Sequence, residues 1–218
     1  MQISLVKTAR NLGFTMIELL IVIAILGILA VAVLSAINPL EQINRGRDTG
    51  LRSDAEQLLN AIDRFYAFNG FMPWQSGATD VDNMDLPWGS VTATYPAIAP
   101  TLPGAGCSTL ERLSISPTAD PTCDNWSDEL KTTFVSRILD TNYRGLYIYK
   151  GATTPSDAVY VCFAPQSNAF RVEATQRVVD LTLLPDDYPS AATEAVGNIQ
   201  AGAALNCGPA PGNCVCLP

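Results

Sequence analysis

The chain has 218 residues, room for one ordinary domain plus one long extra element, and 48% of them are hydrophobic. It contains no histidine, which excludes Ser-His-Asp and Cys-His catalysis and removes the commonest metal ligand. The net charge of −8 is one-sided, because residues 1–69 hold six basic and six acidic side chains while seven basic and fifteen acidic ones lie beyond Gly70; such an acidic head repels phosphate backbones, so no specific nucleic-acid partner is expected.

The first thirteen residues, MQISLVKTARNLG, are polar, with Lys7 and Arg10 and no acidic group. Residues 14–37 follow as FTMIELLIVIAILGILAVAVLSAI, with a single charge at Glu18. At ~1.5 Å per residue that stretch makes a helix of about 36 Å, enough to cross a hydrocarbon core of about 30 Å. Apolar residues surround it on all sides, as lipid or tight helix packing demands. The basic leader places its N-terminus in the cytoplasm.

Asn38-Pro39 interrupts this pattern. Proline removes a helix hydrogen bond and clashes with the preceding turn, so a kink or local melting is expected at Pro39. Beyond it Leu51, Ala55, Leu58, Leu59, Ile62, Phe65 and Tyr66 recur at three- and four-residue spacing, the stripe of an amphipathic helix that Gly70 stops. Gly46 and Gly50 soften its beginning.

Residues 71–106 are rich in Pro, Gly, Thr and Asp and predict loops with one short strand. Ser127 is a candidate cap for a helix through Leu130, Phe134, Val135 and Ile138. Strands are predicted at 145–150, 158–164 and 169–175, with Pro165 to Asn168 as a hairpin between the last two. The Ala-, Gly- and Pro-rich tail reads as a loop. All six cysteines, Cys107, Cys123, Cys162, Cys207, Cys214 and Cys216, follow the apolar segment. If that segment spans a membrane they face an oxidising compartment, and disulfides are expected over zinc because no C-x-x-C pair occurs. Cys107 with Cys123 is the best local pairing, and Cys162 with one of the last three would tie the tail to the body.

The stretch GFTMIELLIVIAILGILA, residues 13–30, closely resembles the N-terminus of type IV prepilins and type II secretion pseudopilins. The resemblance implies that a membrane aspartyl peptidase, the prepilin peptidase, cuts between Gly13 and Phe14, and that Phe14 becomes the N-methylated first residue. Lys7 and Arg10 match the family's basic leaders, and Glu18 its assembly glutamate, which offsets the N-terminal charge of a neighbouring subunit as the filament grows. A carboxylate one turn into an apolar helix is costly in lipid and marks function by default. The family's common proline, about 22 residues into the mature chain, is replaced here by Ser35, and Pro39 comes about one turn later. The implied partners are identical or related pilin subunits in a helical homo-oligomer, the prepilin peptidase, an inner-membrane assembly platform, and membrane lipid before assembly. Two plainer readings stand beside this one. Glu18 would otherwise mark the edge of an ordinary anchor, or Leu19 to Leu29 would be a secretory signal cleaved after Ala30-Val31-Ala32.

The remaining signals are weak. Asp80, Asp82 and Asp85 form an acidic loop with a marginal calcium reading, without EF-hand spacing. Asp124, Asn125, Asp128 and Glu129 make a similar cluster, in which the last two suit a helix's first turn. Trp74, Trp88 and Trp126 read better as packing residues than as an adhesive patch. No nucleophile-base pair or phosphate-binding loop is visible, so neither enzyme activity nor a cofactor is expected.

The expected fold class is α+β: an N-terminal helix of about 55 residues, membrane-spanning in its first half and packed in its second half on a small antiparallel sheet. The expected divisions are a leader at 1–13, a membrane and filament-core helix at 14–38, its amphipathic continuation at 39–70, and a head with a disulfide-tied C-terminal region at 71–218. The expected function is that of a structural subunit of a type IV pilus-like filament for adhesion, motility or DNA uptake. The alternatives are a pseudopilin of a type II secretion system and a membrane-anchored surface binding protein that never polymerises. The subunit would sit in the cytoplasmic membrane, N-terminus inside, and then in an extracellular filament.

Overall fold

A computed structural model of the chain describes residues 13–36, 38–81, 84–93, 108–114, 127–143, 145–151, 157–179, 185, 188 and 214–218. The chain divides into two compact units, Met1–Gln42 and Ile43–Pro218. The first contains helix α1, Met16–Ala36. It is apolar around its whole circumference, and the window Met16–Ser35 is long and apolar enough to cross a membrane, with none of it buried within the protein. Leu20, Ile21, Leu26 and Leu29 are all more than half exposed, as befits a surface made for lipid or for other helices.

A second helix, α2, runs Pro39–Asn69. Its start has a local cause: the Glu41 N–H donates to Asn38 Oδ1 at 3.3 Å, and the Gln42 N–H to the Asn38 carbonyl at 3.4 Å. Asparagine as cap with proline at the first helical position suits a helix start, since proline lacks only an N–H that would be unsatisfied there. Gly70 ends α2 at φ 76°, its N–H returning to the Tyr66 carbonyl at 2.8 Å, a conformation that favours glycine.

In the second unit the expected stripe is the buried face of α2: Leu51, Ala55, Leu58, Ile62 and Phe65 are buried together with Ala61, while Tyr66 remains 44% exposed. Four strands, β1 (Leu86–Ser90), β2 (Leu146–Lys150), β3 (Val159–Phe163) and β4 (Val215–Leu217), form one sheet in the order β1-β2-β3-β4, with every neighbouring pair antiparallel. The register puts Leu146 opposite Phe163 and Ile148 opposite Val161, and β4 adds Leu217 and Val215. With period-2 alternation these side chains share one face, and they join the α2 stripe in the main core. The other face carries Tyr147, Tyr149, Tyr160, Cys162 and Cys216 in a second cluster. The α+β class is therefore correct, as are the strands expected near 145–150 and 158–164 and the short strand after the first loop.

Three expectations are corrected. The segment 169–175 is part of helix α5, Asn168–Val179, and Pro165 to Asn168 is not a hairpin. Its alternation of Phe170, Val172 and Ala174 imitates a strand, but Ala174 is buried and Phe170 packs on the core, four apart, while Val172 is 44% exposed, which is helix spacing. The end of the tail is strand β4, paired with β3, rather than a loop. Ser127 caps no helix. Its N–H goes to the Arg112 carbonyl, and the helix α4, Thr132–Ile138, starts at Lys131 without a side-chain cap. A short helix, α3 (Thr109–Leu113), was not foreseen, although Ser108 and Glu111 form a reciprocal capping box.

Candidate processing and assembly site

Gly13, Phe14 and Thr15 precede α1 in non-helical conformation. Nothing lies within 4 Å of a side chain placed at Gly13, and Phe14 is 77% exposed. The Gly13–Phe14 peptide is thus an open, non-helical bond immediately before a helix. Thr15 begins the helix. Its hydroxyl oxygen accepts from the Glu18 N–H at 3.3 Å, the Leu19 N–H donates to its carbonyl at 3.2 Å, and its hydroxyl lies 3.4 Å from Glu18 Oε2. Threonine at the cap with glutamate three residues on is the capping-box spacing. Glu18 is therefore fixed in the first turn, at the positive end of the helix dipole. That structural task was readable from Thr15-x-x-Glu18, and it accounts for a charge there without invoking assembly.

Of the disulfide candidates, Cys162 and Cys216 are bonded, across a sequence separation of 54 and between directly opposed positions of β3 and β4. This is the expected tie from body to tail. Cys214 is also disulfide-bonded. Cys107, Cys123 and Cys207 lie outside the described residues, and with them the pairing expected between the first two. Of the acidic loop, Asp82 lies outside as well. Asp80 Oδ2 accepts from the Ser76 N–H and hydroxyl, both at 2.9 Å, and so closes its own turn. Asp85 is exposed, and among the described residues no three candidate ligands converge on one point. Trp74 is buried and Trp88 stacks on Tyr147 at 5.6 Å. Asp124, Asn125 and Trp126 lie outside the described residues, and Glu129 pairs with Arg64.

Sequence reasoning missed three polar anchors that hold the head together. Asp48, fully buried on α2, accepts from the N–H groups of Gln166 and Ser167 at 2.7–3.0 Å and from the Ser167 hydroxyl at 2.7 Å. Arg112, also buried, donates to the carbonyls of Pro73 and Gln75, with the rings of Phe65 and Phe71 about 6 Å away. Asp54 accepts from Arg137 and from the Tyr143 hydroxyl, the latter at 2.8 Å. Burial pushes the Tyr143 phenol well above its ordinary range, and the hydrogen bond to Asp54 adds to this. Tyr143 thus stays a proton donor at any physiological pH. Its stabilising contribution is complete below about pH 10 and is lost as pH rises beyond that. The only advance signal was for Asp54, a charge inside the apolar stripe of α2, which looks the same as a solvated one.

The family model for the prokaryotic N-terminal methylation motif matches residues 8–34. No curated protein and no solved structure matches the chain. The match covers the open Gly13–Phe14 bond, the capped Glu18 and nearly all of α1, and it implies processing by a prepilin peptidase and assembly with pilin-like subunits. The chain thus carries the N-terminal methylation signature found in prepilins and pseudopilins, on a helix long and apolar enough to cross a membrane.

Proposed function

We propose that this chain is the structural subunit of a type IV pilus-like filament, cut between Gly13 and Phe14, methylated on Phe14, and assembled through α1. The observation that carries this reading is a helix apolar on every side and unburied by its own chain, directly after an exposed Gly-Phe bond within a methylation motif. Lipid covers such a surface before assembly, and identical helices cover it afterwards. In a filament the stems replace lipid contacts by close packing, and the acidic head stays in water. After cleavage the new amine at Phe14 lies about one helical turn from Glu18, where its positive charge meets a carboxylate in a medium that favours pairing. The domain limits follow: leader 1–13, core helix 14–38, linking helix 39–70 with its new start at Pro39, and head 71–218. Pro39 is the place where the stem yields during extraction from the membrane. The subunit works by assembly and not by catalysis.

Purified surface filaments analysed by mass spectrometry test the proposal. This chain as a repeating component, lacking residues 1–13, supports it. Surface-exposed protein found only as monomers in the membrane fraction refutes it.

A further inference from the structure

A depression of about 380 Å³ opens on α2, lined by Arg47, Gly50, Leu51, Asp54, Asn142 and Tyr143. Its floor is charge-balanced, because the Asp54 carboxylate is held by Arg137 and by the Tyr143 hydroxyl. Leu51 gives it an apolar base, and Gly50, where nothing lies within 4 Å of an added Cβ, leaves its wall low. Arg47 is exposed at the rim, and no described residue of its own chain pairs with it. Ile43, one turn earlier on the same helix face, is 53% exposed. An unpaired guanidinium beside a neutralised floor and an uncovered isoleucine is a cationic, half-apolar socket.

We propose that this socket receives an acidic side chain from the head of a second copy of this chain. Charge complementarity selects that occupant. The part of the chain beyond Gly70 carries fifteen acidic against seven basic residues, and Asp85 and Asp128 are exposed there. An anionic membrane surface would repel the same head. A socket on one surface and a carboxylate elsewhere make a heterologous contact. Such a contact does not close on itself unless the rotation forms a ring, so it propagates as a helical filament. The inference rests on the filament reading and adds a head-to-head contact to the stem packing. Arg47 would then set register, since Coulomb attraction of one such pair is strongest when its surroundings exclude water.

The test is a photo-cross-linking amino acid at Asn142, in full-length protein in whole cells, with filaments counted by electron microscopy in parallel. A covalent dimer of this chain, mapped to an acidic segment of the head, is the expected product. Arg47→Glu should lower its yield about tenfold, the scale of one attractive charge pair made repulsive, while Arg47→Lys keeps most of it. Intact Cys162–Cys216 protein at normal level excludes misfolding of these variants. Filaments without the dimer, a dimer indifferent to Arg47→Glu, or an adduct to lipid or to another protein overturns the socket and leaves the filament reading standing. A dimer without filaments keeps the socket and overturns the filament reading. Neither dimer nor filaments overturns both.

Discussion

Glu18 has a capping contact in the structure and an assembly task in the proposed function, and different substitutions separate the two. It sits at the third helical position, where glutamine serves a capping box as well as glutamate does, but only glutamate can offset an amine. Glu18→Gln should therefore leave helix α1 and cleavage intact and still reduce filament yield to the level of Glu18→Ala. Normal yield from the glutamine variant, measured as sheared filament per cell, would leave capping as its whole role. Asp48 poses the opposite case. It is wholly buried and receives two backbone N–H groups and a hydroxyl. Its removal strands those donors, so Asp48→Ala is expected to cost about 3 kcal/mol in chemical denaturation of the detergent-solubilised chain, against about 1 for Asp48→Asn. Glu18 stands out in the sequence because it is the single charge in residues 14–37. Asp48 and Arg112 do not, because their partners are backbone groups of residues 118 and 39 positions away, which no local pattern reveals.

The elements show the same division between local and distant causes. Helices α1 and α2 were readable because the first is an unbroken apolar run and the second has a long amphipathic period, and the break between them coincides with an asparagine cap and a proline that starts α2. Strands β2 and β3 alternate or run wholly apolar, which also declares them locally. Helix α5 failed to declare itself, since the two residues just before it are held by Asp48 from another helix and its sequence alternates like a strand. Strand β4 is three residues long, and it exists because Cys216 is bonded opposite Cys162 and its neighbours fill the core. Closing a loop of 54 residues restricts the unfolded chain by about 4 kcal/mol. Cys216→Ser should cost about that much stability and free β4 first, seen as early loss of amide-exchange protection at Val161 and Phe163, which pair with it. Uniform loss of protection across the whole head would show that the strand does not depend on its bond.

The molecule joins two units with opposed solvent preferences: an apolar stem exposed on all sides, and a head with its own core, sheet and acidic surface. A chain of this kind is stable in water only if something else covers the stem, and the proposed filament supplies that cover as lipid first and identical stems afterwards. The motif at residues 8–34 lies across the start of that stem, and the proposed cut at the open Gly13–Phe14 bond would free it. The most direct test is the mass and sequence of the N-terminus of the mature protein taken from cells. A chain beginning at Phe14 with one added methyl group is expected. A chain beginning at Met1 would show a plain anchor, and one beginning at Val33 a secreted protein, and either would contradict the processing on which the filament depends.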